Sequence, residues 1–421
     1  MKKEQVENLM KKGKLWDYIV LEELGKKHIG DIKAREVILL CVIGRKVKGR
    51  KPYSFNVLLI TPPSGGKDHG IRAVLSLFPK YNPLDKTGVW EKFGRISETT
   101  LNYLHQRKID KNNPEKSIDI DFNWSGKILY LPEITGKVLN NEIMKEFTSG
   151  EDCEEVSEVA ITKRKSAGVD IIEVRGKPEV FCSTAKAIPS EEIRNRFNIV
   201  GLDLSEEQTE NIFKFEEEEI NPAIIKFLSE IKEKEVRISR KMLNFLIKVF
   251  PKDKIRYRRD FPRLIDFIKA HALFHGRNIA GWGDYNRAKD IFVNAFANPS
   301  DIPLRDVEED IVKILREKKE GLEARQIHKE IEGGEKYSIP TIYEHLRKLE
   351  ENGIIKSRQE RILTGYLVTK YSLTKEFQEQ KPFVLPNYDE DYGKKDIKDI
   401  KDIKDIKDIK DIKEKRTIIK I

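Results

Sequence analysis

The sequence predicts an α/β protein in which a parallel sheet with helices on both faces is followed by a helical segment and a small C-terminal domain. Three observations predict this fold class. A short apolar run at residues 56–60 precedes a Gly-rich turn and a stretch with helical spacing at 71–77. Apolar strands and helical stretches then alternate up to about residue 215. Three helical patterns and a hairpin at 305–375 form a separate, smaller unit.

Size and composition exclude several classes of protein. The 421 residues are enough for two or three domains, and the apolar (38%) and charged (36%) fractions fit a chain with a real core and a charged surface. No run of about 18 apolar residues is present, and the first residues lack the apolar region of a secretory signal, so a cytoplasmic protein is expected. Three cysteines are too few for a disulfide framework or a metal site. The net charge of +9 permits a polyanionic partner.

The turn after the first strand has the composition of a phosphate-binding loop. Backbone N–H groups of such a turn point inward, the following helix adds the positive end of its dipole, and a lysine reaches the β and γ phosphates. The usual pattern is Gly-x-x-x-x-Gly-Lys-Ser/Thr, whereas here Thr61 occupies the first place and Asp68 the last. A plain strand–turn–helix with an exposed lysine is the alternative. The candidate nucleotide-binding residues of the turn are Pro63, Ser64, Gly65, Gly66, Lys67, Asp68 and His69.

A second apolar run, at 128–131, ends in Pro132 and Glu133. In phosphate-loop ATPases an Asp at this strand end supports Mg²⁺, and the Glu after it polarises the attacking water. Glu133 keeps the second role, whereas Pro132 replaces the Asp. One hypothesis is that Asp68 supplies the missing carboxylate, so that Asp68 and Glu133 hold Mg²⁺. The other is that both metal ligands are lost, and that the protein binds ATP weakly or does not hydrolyse it.

Two alternating segments, 156–161 and 169–174, predict a β-hairpin with a basic tip. The basic residues of the tip are Lys163, Arg164 and Lys165. A third buried strand at 179–182 follows and runs into Ser183 and Thr184. A polar residue at the end of this strand can reach the γ phosphate or the attacking water.

The order of these parts over about residues 36–295 resembles the AAA+ ATPases, and among them the minichromosome maintenance (MCM) helicases and the related helicases of archaeal plasmids and viruses. The turn at 62–68 is similar to the Walker A loop of that family, and the strand before Glu133 is similar to its Walker B motif. The resemblance implies ATP and Mg²⁺ as cofactors and a homohexameric ring. It also implies that the basic tip of the hairpin contacts single-stranded DNA in the pore, and that Thr184 lies at the sensor-1 position.

Asn195, Arg196 and Phe197 are similar to the Ser-Arg-Phe of the same family. The resemblance implies that Arg196 is an arginine finger for ATP on a neighbouring subunit, where a guanidinium stabilises charge on the γ phosphate. An ordinary surface salt bridge is the alternative. With this role, the catalytic residues are Lys67, Glu133 and Arg196.

Residues 216–294 read as all helical and look like the lid domain of the family. The resemblance implies that Arg259 is the sensor-2 arginine, with Arg263 as the second choice. His271 and His275 have the i, i+4 spacing of zinc ligands, but no third ligand is nearby in the sequence. Packing is therefore the preferred interpretation of these two histidines.

The segment 305–375 predicts a winged helix, because three helical patterns precede a two-stranded hairpin. Its third helix is expected to bury Ile342, Leu346 and Leu349, and to expose Thr341, Tyr343, His345, Arg347 and Lys348. The candidate contacts to duplex DNA are Thr341, Tyr343, Arg347 and Lys348 on this helix, with Arg358 and Arg361 at the wing. Winged helices also bind proteins, so the fold alone does not establish DNA binding.

The predicted organisation has five parts: a helical N-terminal extension (1–50), the ATPase core (51–215), the lid (216–294), the winged helix (305–375) and a tail (376–421). The extension is expected to be a brace packed on the core. Lys-Asp-Ile repeats without interruption at 395–412, which predicts a solvated tail or a transient helix.

Three functions are compatible with these features. The first is an ATP-dependent, MCM-like DNA helicase or translocase that acts in the replication of a mobile element. The second is an ATP-binding initiator or regulator that finds DNA through the winged helix and hydrolyses ATP weakly or not at all. The third, a scaffold that binds neither DNA nor nucleotide, is disfavoured by the combined motifs.

Overall fold

The computed structural model describes most of the chain up to residue 374. The described ranges are 2–61, 65–82, 87–94, 96–97, 122–150, 152–154, 156–162, 169–184, 195–203, 205–252, 256–295, 306–318, 320–331, 334, 336–351, 354–361, 366–374 and 385–388. The Lys-Asp-Ile tail predicted at 395–412 lies outside them. The chain divides into a unit up to Val384 and a second unit from Leu385, of which 385–388 are described and contain no helix or strand.

A five-stranded parallel sheet confirms the predicted α/β class. Its strands are β1 (Val57–Ile60), β2 (Trp90–Lys92), β3 (Ile128–Leu131), β6 (Glu179–Thr184) and β7 (Asn198–Val200), in the order β2-β3-β6-β1-β7. β1 is a wholly apolar run and β3 is apolar except for the hydroxyl of Tyr130. Every residue of both strands is buried, as in parallel strands covered by helices. Since the carboxyl ends of parallel strands share one edge, Thr61 after β1 and Ile134 after β3 both bond to the end of β6.

Helices and a hairpin surround this sheet. Helix α4 (Lys67–Leu75) follows β1, and helices α5 (Gly136–Leu139) and α6 (Glu142–Phe147) follow β3. Strands β4 (Val156–Thr162) and β5 (Val169–Arg175) pair in antiparallel register, which confirms the predicted hairpin. The basic tip that the sequence predicts at Lys163, Arg164 and Lys165 lies outside the described residues.

The N-terminal segment is helical, as predicted. It contains α1 (Lys3–Lys11), α2 (Leu15–Tyr18), a π-helical turn (Ile19–Glu23), a 3₁₀ turn (Leu24–Lys26) and α3 (Ile32–Gly44). Helix α3 is buried along nearly its whole length, because it lies between the sheet and a long helix from the second half of the chain. Phe55, just before β1, also packs on this long helix, because its ring stacks on that of Phe267 with centroids 5.7 Å apart.

The region after β7 is mostly helical. Its helices are α7 (Glu206–Phe213), α8 (Pro222–Glu230), α9 (Arg240–Val249), α10 (Tyr257–Phe274) and α11 (Trp282–Asn294). The all-helical prediction was wrong in one detail, because β8 (Arg237–Ile238) and β9 (Ile279–Ala280) form a short parallel pair. Two-residue strands are too short for apolar periodicity to reveal. His271 Nδ1 lies 2.7 Å from Asp284 Oδ1, which agrees with a packing role for this histidine.

Residues 306–374 have a core of their own. Three helices, α12 (Asp306–Glu317), α13 (Ala324–Glu330) and α14 (Ile339–Glu351), accompany a sheet of β10 (Leu322–Glu323), β11 (Ile355–Arg361) and β12 (Leu367–Leu373) in the order β10-β12-β11. The predicted core residues Ile342, Leu346 and Leu349 are fully buried. His345, predicted to be exposed, is instead buried and faces α12, where its Nδ1 lies 2.8 Å from Glu308 Oε1. A helix pattern cannot show a partner on another helix.

Within the described ranges, no helix combines the length and the apolar character that crossing a bilayer requires.

Candidate nucleotide-binding site

The described end of the turn between β1 and α4 has a backbone conformation suited to phosphate binding. Gly66 has a φ of +75°, in the left-handed region that a side chain would strain, and it precedes the first residue of the helix, Lys67. The N–H groups of the first helical turn and the positive end of the helix dipole therefore face the carboxyl edge of the sheet. Pro63 and Ser64 lie outside the described residues, and Gly65 is described and half-buried.

A cavity of about 600 Å³ opens in front of the start of α4. This volume is in the range of small-ligand sites. The residues that line the cavity are Gly66, Lys67, Asp68, His69, Arg72, Lys92, Gly94, Pro132 and Glu133. The structure thus brings five predicted residues together: Gly66, Lys67, Asp68, His69 and Glu133.

Lys67 and Glu133 meet inside this cavity, where Lys67 Nζ lies 3.5 Å from Glu133 Oε1. The side chain of Lys67 is only 7% exposed, whereas that of Glu133 is 64% exposed. A buried ammonium requires a charged or polar partner, and Glu133 provides it here. Phosphate oxygens can take the place of this carboxylate, because both groups are anionic acceptors of charge-assisted hydrogen bonds.

The backbone of Glu133 is held by the neighbouring strand β6. Glu133 has a φ of +53°, which is uncommon for a residue with a side chain. Its N–H donates to Ser183 Oγ over 3.3 Å, and the N–H of Ile134 donates to the Ser183 carbonyl over 2.9 Å. The predicted sensor residue Thr184 is buried, accepts from the N–H of Thr61 over 3.3 Å, and is not one of the lining residues. Ser183, at the end of β6, therefore holds the turn that contains Glu133.

Asp68 is surrounded by three donors. The hydroxyl of Tyr130 donates to its Oδ1. Lys92 Nζ lies 3.4 Å from Oδ1 and 3.2 Å from Oδ2 of the same carboxylate. Arg72 Nη1 lies 3.6 Å from Oδ2. Both carboxylate oxygens therefore face cations or a hydroxyl.

This arrangement does not fit Asp68 as a ligand of Mg²⁺. A metal ion on this carboxylate would face the positive charges of Lys92 and Arg72. At 4 Å and an effective dielectric constant of about 20, unit charges repel by about 4 kcal/mol, and a divalent ion doubles that figure. Within the described part of the chain, no three His, Cys, Asp or Glu side chains converge as a metal site.

The same residues do fit an anionic ligand such as the phosphates of a nucleotide. The lining contains three cationic side chains, Lys67, Lys92 and Arg72, against the two carboxylates of Asp68 and Glu133. The helix start adds backbone donors to this positive balance. The cavity is thus suited to negative charge.

His69 connects the wall of the cavity with the N-terminal segment. Its Nδ1 lies 2.9 Å from His28 Nδ1, and its Nε2 lies 3.2 Å from Glu217 Oε1. His28 Nε2 lies 2.7 Å from Asp31 Oδ2. Hydrogen bonds from His69 and Lys27 lower the pKa of Glu217. These contacts fix the ring of His69 beside the start of α4.

Arg196 lies inside its own chain, and not at the outer edge that an arginine finger requires. Its side chain is 7% exposed, and Nη1 donates to the carbonyl of Lys145 over 2.7 Å. The alternative prediction, a surface arginine, is also wrong about its exposure. The acceptor is a backbone carbonyl 51 residues away, so the local sequence carries no sign of it.

The two candidate sensor-2 arginines lie on α10, and neither lines the described cavity. Arg259 is half-buried. Arg263 is buried, donates from Nη1 to Asp260 Oδ1 over 3.2 Å, and donates from Nη2 to the Asn195 carbonyl over 2.8 Å. Arg263 therefore joins α10 to the segment that precedes β7.

The candidate DNA contacts within residues 306–374 are spread over α14 and β11. Tyr343 is 48% exposed, and Arg347, Arg358 and Arg361 are exposed. Thr341 and Lys348 are half-buried. Several have partners within the unit: Ser338 for Thr341, Glu344 for Lys348, and the Glu320 carbonyl and Glu360 for Arg358.

The three side chains that contact the carboxylate of Asp68 were not predicted as site residues. Arg72 follows Asp68 by four positions on α4, and this spacing could have indicated a pair. The hydroxyl of Tyr130, in an otherwise apolar strand, is also a signal, because buried polar groups have partners. Lys92 has no comparable signal, since it lies in a half-buried strand of three residues, and its partner Asp68 lies 24 positions earlier in the chain.

Comparison with known proteins agrees with this geometry. No curated protein matches the sequence. A model of the family described as the MTBMA_p00010 P-loop domain matches residues 1–248, which is more than half of the 421 residues. The match includes the N-terminal helices as well as the parallel sheet and the cavity. The chain therefore belongs to the MTBMA_p00010 P-loop domain family, whose P-loop fold indicates nucleotide binding.

Proposed function

We propose that this protein binds ATP in the cavity at the start of α4 and uses the bound nucleotide to control its action on DNA. The observation that carries the proposal is the meeting of Lys67 and Glu133 at 3.5 Å, in front of a helix start that follows a left-handed glycine. A buried ammonium paired with an exposed carboxylate, next to backbone donors, supplies the groups that P-loop proteins use on phosphates.

The residues of the cavity have separate roles in this proposal. Lys67 and the backbone N–H groups of Gly65 and Gly66 hold the β and γ phosphates. When phosphate takes Lys67 as its partner, the carboxylate of Glu133 becomes available to orient a water molecule for attack. Mg²⁺ held by Asp68 and Glu133, the expectation from sequence, requires Asp68 to release its three donors first. Arg196 as an arginine finger likewise requires its guanidinium to leave the Lys145 carbonyl.

The DNA-binding part of the proposal concerns residues 305–375 as a winged helix. The three helices and the small antiparallel sheet support it. The candidate contacts to duplex DNA are Thr341, Tyr343, Arg347, Lys348, Arg358 and Arg361. By the same resemblance to AAA+ proteins, residues 216–294 form a lid, and Arg259 is its sensor-2 arginine.

Two forms of this function differ in what ATP does. In the first, the protein is an MCM-like helicase or translocase, a homohexamer that holds single-stranded DNA on Lys163, Arg164 and Lys165. In the second, it is an initiator or regulator that binds ATP and DNA but hydrolyses ATP weakly or not at all. The donors around Asp68 and the burial of Arg196 favour the second form, because both residues are engaged within the chain.

Equilibrium binding of a fluorescent ATP analogue tests the common part of the proposal. Lys67→Ala removes a charge-assisted contact of about 1.5–3 kcal/mol, so we expect affinity to fall about 10- to 100-fold. Lys80→Ala is the matched control, because Lys80 is exposed and does not line the cavity. Equal affinity of the wild type and Lys67→Ala would contradict nucleotide binding at this site. Strand displacement and ATPase activity stimulated by single-stranded DNA would identify the helicase form, and mass photometry with ATP would report the ring.

A further inference from the structure

Lys92 reaches the cavity from a strand that the phosphate-loop pattern does not include. It is paired in register with Tyr130 across β2 and β3, so the two side chains emerge side by side from neighbouring strands. Both end on the carboxylate of Asp68. The ammonium of Lys92 also lies 5.4 Å from the centre of the Tyr130 ring, which adds a cation–π contact. Lys92 is thus held in place by two groups.

Asp68 stands at the position where the P-loop pattern has a Ser or Thr hydroxyl for Mg²⁺. The second usual metal ligand, a carboxylate after β3, is replaced by Pro132. Around this carboxylate, the structure has the ammonium of Lys92 and the guanidinium of Arg72. Two cationic side chains thus stand against the single carboxylate of Asp68, and positive charge is already present beside it.

We propose that Lys92, held on Asp68 and Tyr130, replaces the divalent cation at this site, so that the chain binds nucleoside triphosphates without Mg²⁺. The inference rests on the proposed function. The physical basis is that an ammonium with three N–H donors can neutralise phosphate oxygens at hydrogen-bond distance, as a metal ion does, while Asp68 fixes its position.

Binding of fluorescent ATP to the full chain, with excess Mg²⁺ or with excess EDTA, tests this proposal. The wild type is expected to bind with affinities that differ by less than about threefold between the two conditions, because Lys92 supplies the positive charge in both. A tenfold change would correspond to about 1.4 kcal/mol. Lys92→Met is expected to bind about 10- to 100-fold more weakly in EDTA, because a charge-assisted contact is lost. Mg²⁺ should restore part of the affinity of Lys92→Met, because Asp68 is then free of its ammonium partner.

Two further variants control this experiment. Lys80→Met carries the same substitution at an exposed lysine that forms a β-bridge with Trp90, the first residue of the same strand, and should behave as the wild type. Lys92→Arg keeps the charge and should keep binding in EDTA. A wild type that binds only with Mg²⁺ would overturn the proposal while leaving the nucleotide site intact. Equal affinity of Lys92→Met and wild type in EDTA would also overturn it. Absence of wild-type binding under both conditions would instead reject the proposed function itself.

Discussion

Glu133 combines an unusual backbone with an exposed carboxylate. Its left-handed conformation, with φ of +53°, costs of order 1 kcal/mol for a residue with a side chain. Ser183 stabilises the turn by accepting two backbone hydrogen bonds, one on its hydroxyl and one on its carbonyl. A strained backbone conformation of this kind persists only where surrounding contacts hold it in place, and such residues are concentrated at functional sites. The geometry therefore directs the carboxylate into the cavity at a cost that the strand β6 offsets.

His275, at the end of α10, makes the stability of the fold depend on pH. Desolvation, with the nearby charges of His271 and Arg277, lowers its pKa to about 4, against the opposing effect of Asp284. The folded state therefore keeps His275 neutral, while the unfolded chain takes up a proton near pH 6.5. The stabilisation is present above about pH 6.5 and is lost as the pH falls towards 4.

Replacement of this histidine tests the pH dependence. Between pH 7 and pH 4.5 the free energy of unfolding should fall in both proteins, but by about 1–2 kcal/mol less in His275→Gln than in the wild type. This figure is reduced from the full effect of the pKa shift because the ring is partly exposed. Urea denaturation at the two pH values measures the difference. If the free energy of unfolding falls by the same amount in both proteins, His275 is not the source of the pH dependence.

Helix α3 should tolerate no added methyl group where it ends. A Cβ on Gly44 would lie 2.3 Å from the ring of Phe55, which is stacked on Phe267 in the core. Because both rings are buried, we expect Gly44→Ala to destabilise the protein by about 1–3 kcal/mol, as overpacked cores do. Gly283→Ala, within helix α11, is the control, since nothing lies within 4 Å of its added Cβ. There the better helix propensity of Ala should be neutral or add up to about 1 kcal/mol. Thermal or urea unfolding measures the stability of both variants and of the wild type. If Gly44→Ala is as stable as the wild type, the packing argument is wrong.

The elements that the sequence predicts well are those whose signal is local. The apolar runs of β1 and β3, the hairpin of β4 and β5, and the core positions of α14 all depend on residues that are close in the chain. Lys92 could not be predicted, because its role depends on the register between β2 and β3. The burial of Arg196 depends in the same way on a carbonyl of α6. Contacts of this kind are fixed by tertiary packing, which a single sequence does not display.

At the scale of the whole chain, the proposed function assigns nucleotide binding and DNA binding to separate parts, each with its own core. The P-loop part contains the cavity, whereas the candidate duplex contacts lie in residues 306–374. A variant of one part should therefore leave the other activity in place, provided that it folds. This separation allows DNA binding to be tested without a change at the cavity.

Arg347 on α14 and Arg361 on β11 are exposed and suited to phosphate contacts with duplex DNA. If both contact phosphates, the variant with Arg347→Ala and Arg361→Ala should bind duplex DNA more weakly at every sequence. Its plot of log affinity against log salt should have a slope smaller in magnitude by about 2, one for each lost contact. Lys313→Ala, at an exposed lysine of α12 in the same unit, should retain the wild-type slope. Fluorescence anisotropy with labelled duplex over a salt series measures all three proteins, and ATP-analogue binding should be unchanged in each. If the double variant keeps the wild-type slope, duplex DNA does not contact this face, and a protein partner becomes the better candidate for it.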